Sequence, residues 1–396
     1  IISDVDDTFF QYLGINVFSM PDGGNEQIVL AGYTFSYGTS DVVTRTVGST
    51  DFEIDFDGTG FSIGNDTGGD MPLADLQLLM RGITYENTSQ SPTAGDRTFD
   101  FEVEDAGGLL SPTATSTITV SPVNDDPEVI NLDGDVLNYT EDDGAVVIEQ
   151  GGDALVSDED SANFGGGSLN VEIDSGLQAA EDVISIRNQG TTPGLIGING
   201  NEVTYGGTVI GTYTGGTGIT PLTVTFNLDA TPAAVTALVQ NITYENTNLG
   251  NPNEGARNVA FDITDGDGGA SLTQSLTINV TAVNDAPVIS VDDAPILYLT
   301  GTMAIDPALA VTDVDDTMLE SAQVWFGDGF QRGHDRLRFT DQLGITGSYD
   351  ISTGILTLTG TASVSDYETA LRSVQYEDAN PTPAQGVLYV NFSVFD

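Results

Sequence analysis

Carboxylates at fixed spacing are the side chains of this chain best placed to do chemistry. A run of acids occurs three times, as Asp4-Val5-Asp6-Asp7, Asp158-Glu159-Asp160 and Asp313-Val314-Asp315-Asp316, with spacings of 154 and 155 residues. A second pattern occurs as Val123-Asn124-Asp125-Asp126-Pro127 and Val283-Asn284-Asp285-Ala286-Pro287, 160 residues apart. Oxygen donors gathered this way suit a hard cation that takes six to eight oxygen ligands, which points to Ca2+. Cys is absent and His occurs once, so metal sites of the Cys/His kind are excluded. Several carboxylates within about 5 Å of one ion repel strongly without it, so each such site is expected to be loose when empty and stiff when loaded. The Asn adds a neutral carbonyl oxygen, and the Pro fixes φ and stops a helix from crossing the joint.

The whole composition points the same way. The 396 residues hold 60 Asp and Glu against 9 Lys and Arg, a formal charge of −51, and such self-repulsion opposes compactness. Even so, 39% hydrophobic residues, with 17 Phe and 13 Tyr, are enough for packed cores. Nucleic acid and anionic membrane surfaces are excluded as main partners, because nine scattered cations cannot form a basic face. Extracellular fluid or seawater offers calcium at the roughly 10⁻⁴ to 10⁻³ M that extracellular modules bind, and the cytosol does not. No stretch approaches the ~20 apolar residues of a membrane-spanning helix, so direct membrane insertion of this segment is not expected. The opening Ile1-Ile2-Ser3-Asp4, with no start methionine or signal peptide, reads as an internal piece of a longer chain.

Other patterns recur in the same order and show which elements must position the acids. A short helical segment leads into a strand three times, over Leu76 to Tyr85, Val235 to Tyr244 and Thr369 to Tyr376, and each Tyr is followed by Glu (Glu86, Glu245, Glu377). An alternating strand then ends in Asp105, Asp265 or Asp396, which lie 20, 21 and 20 residues beyond the Tyr. Alternation over Thr98–Val103 and Ser116–Val120, β-branched runs over Leu222–Phe226 and Gly354–Leu358, and 47 Gly read as strands joined by tight turns. Thr231-Pro232 and Ser365 read as helix starts. Helices of two to three turns must be held on a sheet rather than stand alone. The expectation is an all-β chain of three repeats, 1–124, 125–284 and 285–396, with one short helix per repeat. The first is read as incomplete at its start, the second as complete, and the third as incomplete after Asp396.

The Val-Asn-Asp-Ala-Pro junction after a terminal strand resembles the bacterial cadherin-like repeats of giant surface adhesins and repeats-in-toxin family proteins. The stretch Gly354–Tyr376 is similar to the related repeats of chondroitin-sulfate proteoglycan cores. The resemblance implies tandem cadherin-like, immunoglobulin-like β-sandwiches end to end, with calcium between successive domains. It implies ligands Glu86, Asn124, Asp125, Asp158 and Asp160 at the first junction, and Glu141, Glu245, Asn284, Asp285, Asp313 and Asp315 at the second. The family's mid-domain Asp-Arg-Glu is replaced here by Tyr-Glu-Asn or Tyr-Glu-Asp, which makes Glu86 and Glu245 the weakest matches. Gly301 stands where the third repeat should have an early glutamate, so a site below it would be weaker or differently built.

Competing motifs carry less. Gly60-Phe61-Ser62-Ile63-Gly64 matches a hydrolase nucleophile elbow but has no His base nearby, the one His being His334. Asp55-Phe56-Asp57-Gly58-Thr59-Gly60 reads equally as an intra-domain calcium loop or an acidic hairpin turn, and Asp265-Gly266-Asp267-Gly268-Gly269 shares that ambiguity. Trp325 and Phe326, followed by Arg332, His334, Arg336 and Arg338, offer a candidate contact surface; the plainer reading is core aromatics with arginines paired to local acids. The function expected is a non-enzymatic, calcium-rigidified stalk or fibre segment of a large bacterial surface adhesin, extracellular, associating with itself or with neighbouring surface chains. The alternatives are a glycan- or protein-binding module and an accessory region of a secreted enzyme.

Overall fold

The computed structural model describes residues 2–5, 7–292, 294–382 and 386–396. Its strands build three separate hydrophobic cores, centred on residues such as Phe52 and Ile63, Leu169 and Val224, and Val324 and Leu358. Strand Thr50–Phe56 shows how a chain so acidic can fold. Phe52, Ile54 and Phe56 are buried while the alternating Asp51, Glu53 and Asp55 face water. Period-two alternation thus places the charge on one face and the apolar burial, ~1.5–3 kcal/mol for each large side chain, on the other.

The first core lies between a large sheet and a smaller one. In the large sheet strands Ala114–Val120, Gly95–Asp105, Phe9–Phe18, Gly60–Asn65, Thr50–Phe56 and Asp41–Val47 are neighbours in that order. The smaller sheet is Tyr33–Ser36, Glu26–Leu30 and Thr84–Asn87. In the second repeat an eight-stranded sheet includes Ser168–Ser175 between Gly255–Thr264 and Leu222–Phe226, and Asp182–Ile186 pairs with Ile242–Asn246 in a smaller sheet. The third repeats the plan with Met318–Phe326 between Ile355–Ser363 and Val390–Phe395.

Among the described residues one α-helix accompanies each core: α1 (Leu73–Arg81), α2 (Pro232–Val239) and α3 (Val364–Arg372). The Thr231 side chain caps α2 by accepting the Ala234 N–H, with Pro232 at the first helical position as its sequence suggests. The start of α3 differs from expectation. Ser363, not Ser365, accepts the Asp366 N–H, because the helix begins a half-turn earlier than the Ser-Asp pair implied. Pro72 precedes α1 without a side-chain cap.

Strand register brings the acids together. The opening strands Phe9–Phe18, Ser168–Ser175 and Met318–Phe326 each follow an acid run, and the closing strands Gly95–Asp105, Gly255–Thr264 and Val390–Phe395 lie antiparallel beside them. Antiparallel pairing returns the end of the closing strand to the start of the opening one, so Phe10 faces Asp105, Ser168 faces Thr264 and Ser321 faces Phe395. Asp105, Asp265 and Asp396 therefore lie at the same end of the sheet as the acid runs. Two short ladders deliver the linkers to that end: Glu128 opposite Ser157 leaves Pro127 beside Asp158, and Val288 opposite Thr312 leaves Pro287 beside Asp313.

Candidate functional site: the two interdomain junctions

At the first junction the linker lies against the acids of the second repeat. The Asp125 N–H points at the Asp160 carboxylate, 3.3 and 3.4 Å from its two oxygens. Asp158 Oδ1 accepts the N–H groups of Asp160 (3.1 Å) and Ser161 (2.8 Å), while its Oδ2 is buried with no partner. Burial, together with the neighbouring Asp160 charge, pushes the Asp158 carboxyl up.

A residue outside the expected ligand set completes this cluster. The Asn124 side-chain amide donates to Asp265 Oδ2 at 2.7 Å, and Asp265 Oδ1 accepts the N–H groups of Asp267, Gly268 and Gly269. Burial alone would raise the Asp265 carboxyl, but Asn124 and these backbone donors outweigh it and hold it low. The Asp-Gly-Asp-Gly-Gly turn is thus part of the junction. Gly269 is required there by closeness: a Cβ would sit 2.3 Å from Asp265 Oδ2 and 2.8 Å from both Asn124 Nδ2 and the Asp125 carbonyl oxygen. Gly269→Ala is expected to cost roughly 1–3 kcal/mol by displacing the linker, read as faster amide exchange at Asn124 and Asp125. Unchanged exchange there would contradict this.

The second junction is built alike. The Asn284 amide donates to Asp396 Oδ2 (2.8 Å), and the Asp285 N–H donates to Asp315 Oδ2 (3.0 Å). The Asp285 N–H is the main reason the Asp315 carboxyl is held low; burial and the charges of Asp315, Asp313 and Asp396 raise Asp316. Asp313 Oδ2 and Asp315 Oδ1 are buried without partners. Glu141 reaches the linker from the second repeat: its Oε2 accepts the Val283 N–H at 2.8 Å, and its Oε1 is buried and unpartnered.

Among the described residues, six buried side-chain polar atoms have no hydrogen-bond partner, and four of them are the carboxylate oxygens on Glu141, Asp158, Asp313 and Asp315. A buried anionic oxygen without a donor is costly unless a cation answers it. The same described residues hold no group of three or more His, Cys, Asp or Glu side chains set to grip a metal ion. The junction acids are thus an open cluster rather than a closed cage. Calcium also draws on Asn and main-chain carbonyls and on water, which such a group leaves out.

Several other expected residues are placed elsewhere. Glu86 is exposed in mid-strand opposite Gln27, and Glu245 is half-buried opposite Val183, with no hydrogen bond joining either to a junction acid. Strand alternation turns the preceding Tyr85 and Tyr244 inward instead, where they donate to Glu26 and Asp182. In the first acid run the Asp7 N–H donates to Asp4 Oδ1, and Asp6 lies outside the described residues. Phe326 is corrected from contact residue to core: it is buried and stacked on Phe330, because alternation along Met318–Phe326 turns it inward. Trp325 is half-buried on the opposite side of that strand. Arg338 pairs with Glu377, and Arg332 and His334 are exposed. Ser62 sits within strand Gly60–Asn65, between Gly14 and Asp55, and not at a strand-to-helix turn. Asp57 closes its hairpin by accepting the N–H groups of Thr59 and Gly60.

No protein-family model matches the chain. A stretch of 176 residues, 43% of the chain, is 29% identical to halomucin of Haloquadratum walsbyi (strain DSM 16790 / HBSQ001) and spans 2% of that protein's length. Among solved structures the chain is similar to the protocadherin GammaB4 extracellular domain, at 10% identity and a TM-score of 0.23, covering 93% of this chain and 45% of that one. It is similar also to Drosophila N-cadherin EC1-4, at 10% identity and a TM-score of 0.22, covering 89% of this chain and 65% of that one. Among the described residues no helix is long and apolar enough to cross a membrane.

Proposed function

We propose that this chain is a calcium-stiffened run of cadherin-like β-sandwiches from a large extracellular surface protein, with a structural and adhesive rather than catalytic role. The observation that carries the reading is the set of orphaned carboxylate oxygens. Glu141, Asp158, Asp313 and Asp315 each hold a buried oxygen with no donor, and each stands at a linker that joins two repeats. Calcium would supply the missing positive charge. Asn124, Asp125, Asp158, Asp160 and Asp265 would hold it at the first joint, and Glu141, Asn284, Asp285, Asp313, Asp315 and Asp396 at the second. With the ion bound, mutual repulsion of these acids becomes attraction to a shared centre, and freedom of the linker is lost. Halomucin is the relative whose name fits a surface protein, and the bacterial adhesin reading is the narrower form of the same proposal.

Replacing Asp158 and Asp160 together by Asn keeps the side-chain oxygens that receive the Asp160 and Ser161 N–H groups but removes two charges. Small-angle scattering of the full chain in millimolar calcium should then show a broader spread of interdomain distances at the first joint, while circular dichroism stays that of folded sandwiches. A scattering profile superimposable on wild type would sink the assignment of these two residues.

A further inference from the structure

The two joints differ in a way the shared acid pattern conceals, and we infer that the second is interlocked by direct packing between repeats without any cation, whereas the first has no such interlock. The knob is Val314, between the acids Asp313 and Asp315. It rests on Gly250 of the preceding repeat so closely that a Cβ added to Gly250 would lie 2.6 Å from Val314 Cγ2 and 3.2 Å from Cγ1. Gly250 is not among the glycines at positive φ, so its value here is the room it leaves for a methyl group.

The socket is stiff. The Glu181 carboxylate accepts the Asn253 N–H (3.0 Å), the Asn253 side-chain amide (2.7 Å) and the Asn248 side-chain amide (3.2 Å). Arg257, itself buried, donates to the Asn253 carbonyl at 2.6 Å. The linker is tied to the same repeat by the Ala282 N–H on Glu254 (3.1 Å) and the Val283 N–H on Glu141 (2.8 Å). Its far end is tied to the third repeat through Asn284 and Asp285. Joint two is therefore fastened on both sides.

Position by position, the first joint carries other residues at the knob, at the Gly250 loop and at the Ala282–Glu254 tie. Glu159 takes the place of Val314; both side chains are exposed, Val314 at 61%, but a carboxylate cannot make the apolar contact that the valine methyl groups make on Gly250. The loop after Tyr85 reaches its closing glycine, Gly95, in 10 residues, whereas Gly255 lies 11 beyond Tyr244, so the residue that presents Gly250 has no full counterpart. Pro122 stands for Ala282 and has no N–H, and Ala94 stands for Glu254 and has no carboxylate.

The test uses the full chain, whose lack of cysteine lets spin labels be placed cleanly. Exposed positions serve: Ser116→Cys with Thr225→Cys across the first joint, and Thr225→Cys with Thr361→Cys across the second. Distance distributions are measured by double electron–electron resonance in millimolar calcium and in excess chelator. In chelator the first joint should broaden by about twofold or more while the second stays close to its calcium-loaded width. Val314→Glu, which copies the first joint, and Gly250→Leu, which adds no charge and fills the socket, should each broaden the second joint in chelator to the width of the first. Equal broadening of both joints in wild type overturns the interlock. So does a narrow second joint that neither substitution disturbs. The calcium response of the first joint tests the ion-binding proposal separately, since the interlock is read entirely from the second joint in chelator.

Discussion

Stripping calcium from the intact chain should lower its melting temperature by several degrees and open the segments around Asn124 and Asn284 to protease. An ion that binds only the folded state adds RT ln(1 + [L]/Kd), about 2.7 kcal/mol per site at one hundred times Kd. A folding unit of 150–250 residues shifts by about 2–4 °C per kcal/mol, so one occupied site moves the transition of its repeat by ~5–10 °C. Repeats that melt separately have to be followed separately, because a chain of several domains is not one two-state unit. The sharper arm of the experiment is salt. With a charge of −51, the chain gains from any cation that screens its surface, and at 1 M salt the screening length is already down to about 3 Å. Buried oxygens such as Asp158 Oδ2 and Asp313 Oδ2 are beyond that screening. The difference between calcium and chelator should therefore persist in 2 M NaCl, and a difference that vanishes there would mean that calcium acts as one more screening ion and not as a ligand of these sites.

The placement of the acids was legible in the sequence to the extent that strand periodicity and repeat phase determine it. The acid runs and the Asn-Asp linkers recur at nearly constant offsets, and antiparallel register then brings Asp160 to Asp125, and Asp315 to Asp285. Asp265 and Asp396 were visible as the terminal Asp at 20 to 21 residues beyond the Tyr, but the role of that offset depends on which strand lies beside the opening one, a long-range pairing that no local pattern encodes. Glu86 and Glu245 show the opposite problem. Their recurrence after Tyr marks the acid in the sequence, whereas in the fold the recurring residue with a buried partner is the Tyr, bonded to Glu26 or Asp182 on a strand far away in sequence. The difference between the joints was present in Val314, Glu159, Pro122 and Ala94 and becomes readable only when Gly250 is seen beneath the valine.

The largest single-residue effect expected in this chain comes from Arg257. It lies 8 residues before Asp265, as Arg97 lies 8 before Asp105, and both arginines are only 1% exposed. Arg257 Nε is 3.2 Å from Asp182 Oδ2, and the same carboxylate accepts the Tyr244 hydroxyl at 2.6 Å; burial and that bond push the Tyr244 hydroxyl's pKa well up. In the first repeat Arg97 bridges Glu26 and Asp22 in the same way. The third repeat has Leu388 at this offset, and among the described residues its buried Asp335 is hydrogen-bonded by neutral donors, the Tyr376 hydroxyl (2.7 Å) and the Gln331 N–H (2.5 Å). Such a carboxylate can be kept without an arginine, but only where the surrounding donors were built for it. Arg257→Leu leaves Asp182 as a buried charge without its cation and frees the Asn253 carbonyl that Arg257 holds, so the second repeat should lose about 3–5 kcal/mol. Asp182→Asn on the same background removes the stranded charge while keeping an acceptor for Tyr244, and should recover most of that loss. Hydrogen exchange in strands Ile242–Asn246 and Gly255–Thr264, measured in the full chain, reads both variants. A single substitution that leaves these amides as protected as in wild type, or a double variant no better protected than the single, would show that the buried charge is not what Arg257 answers. If the loss is found, protection of the Gly250 loop should fall with it, because the arginine that neutralises the core acid also stiffens the loop on which Val314 rests.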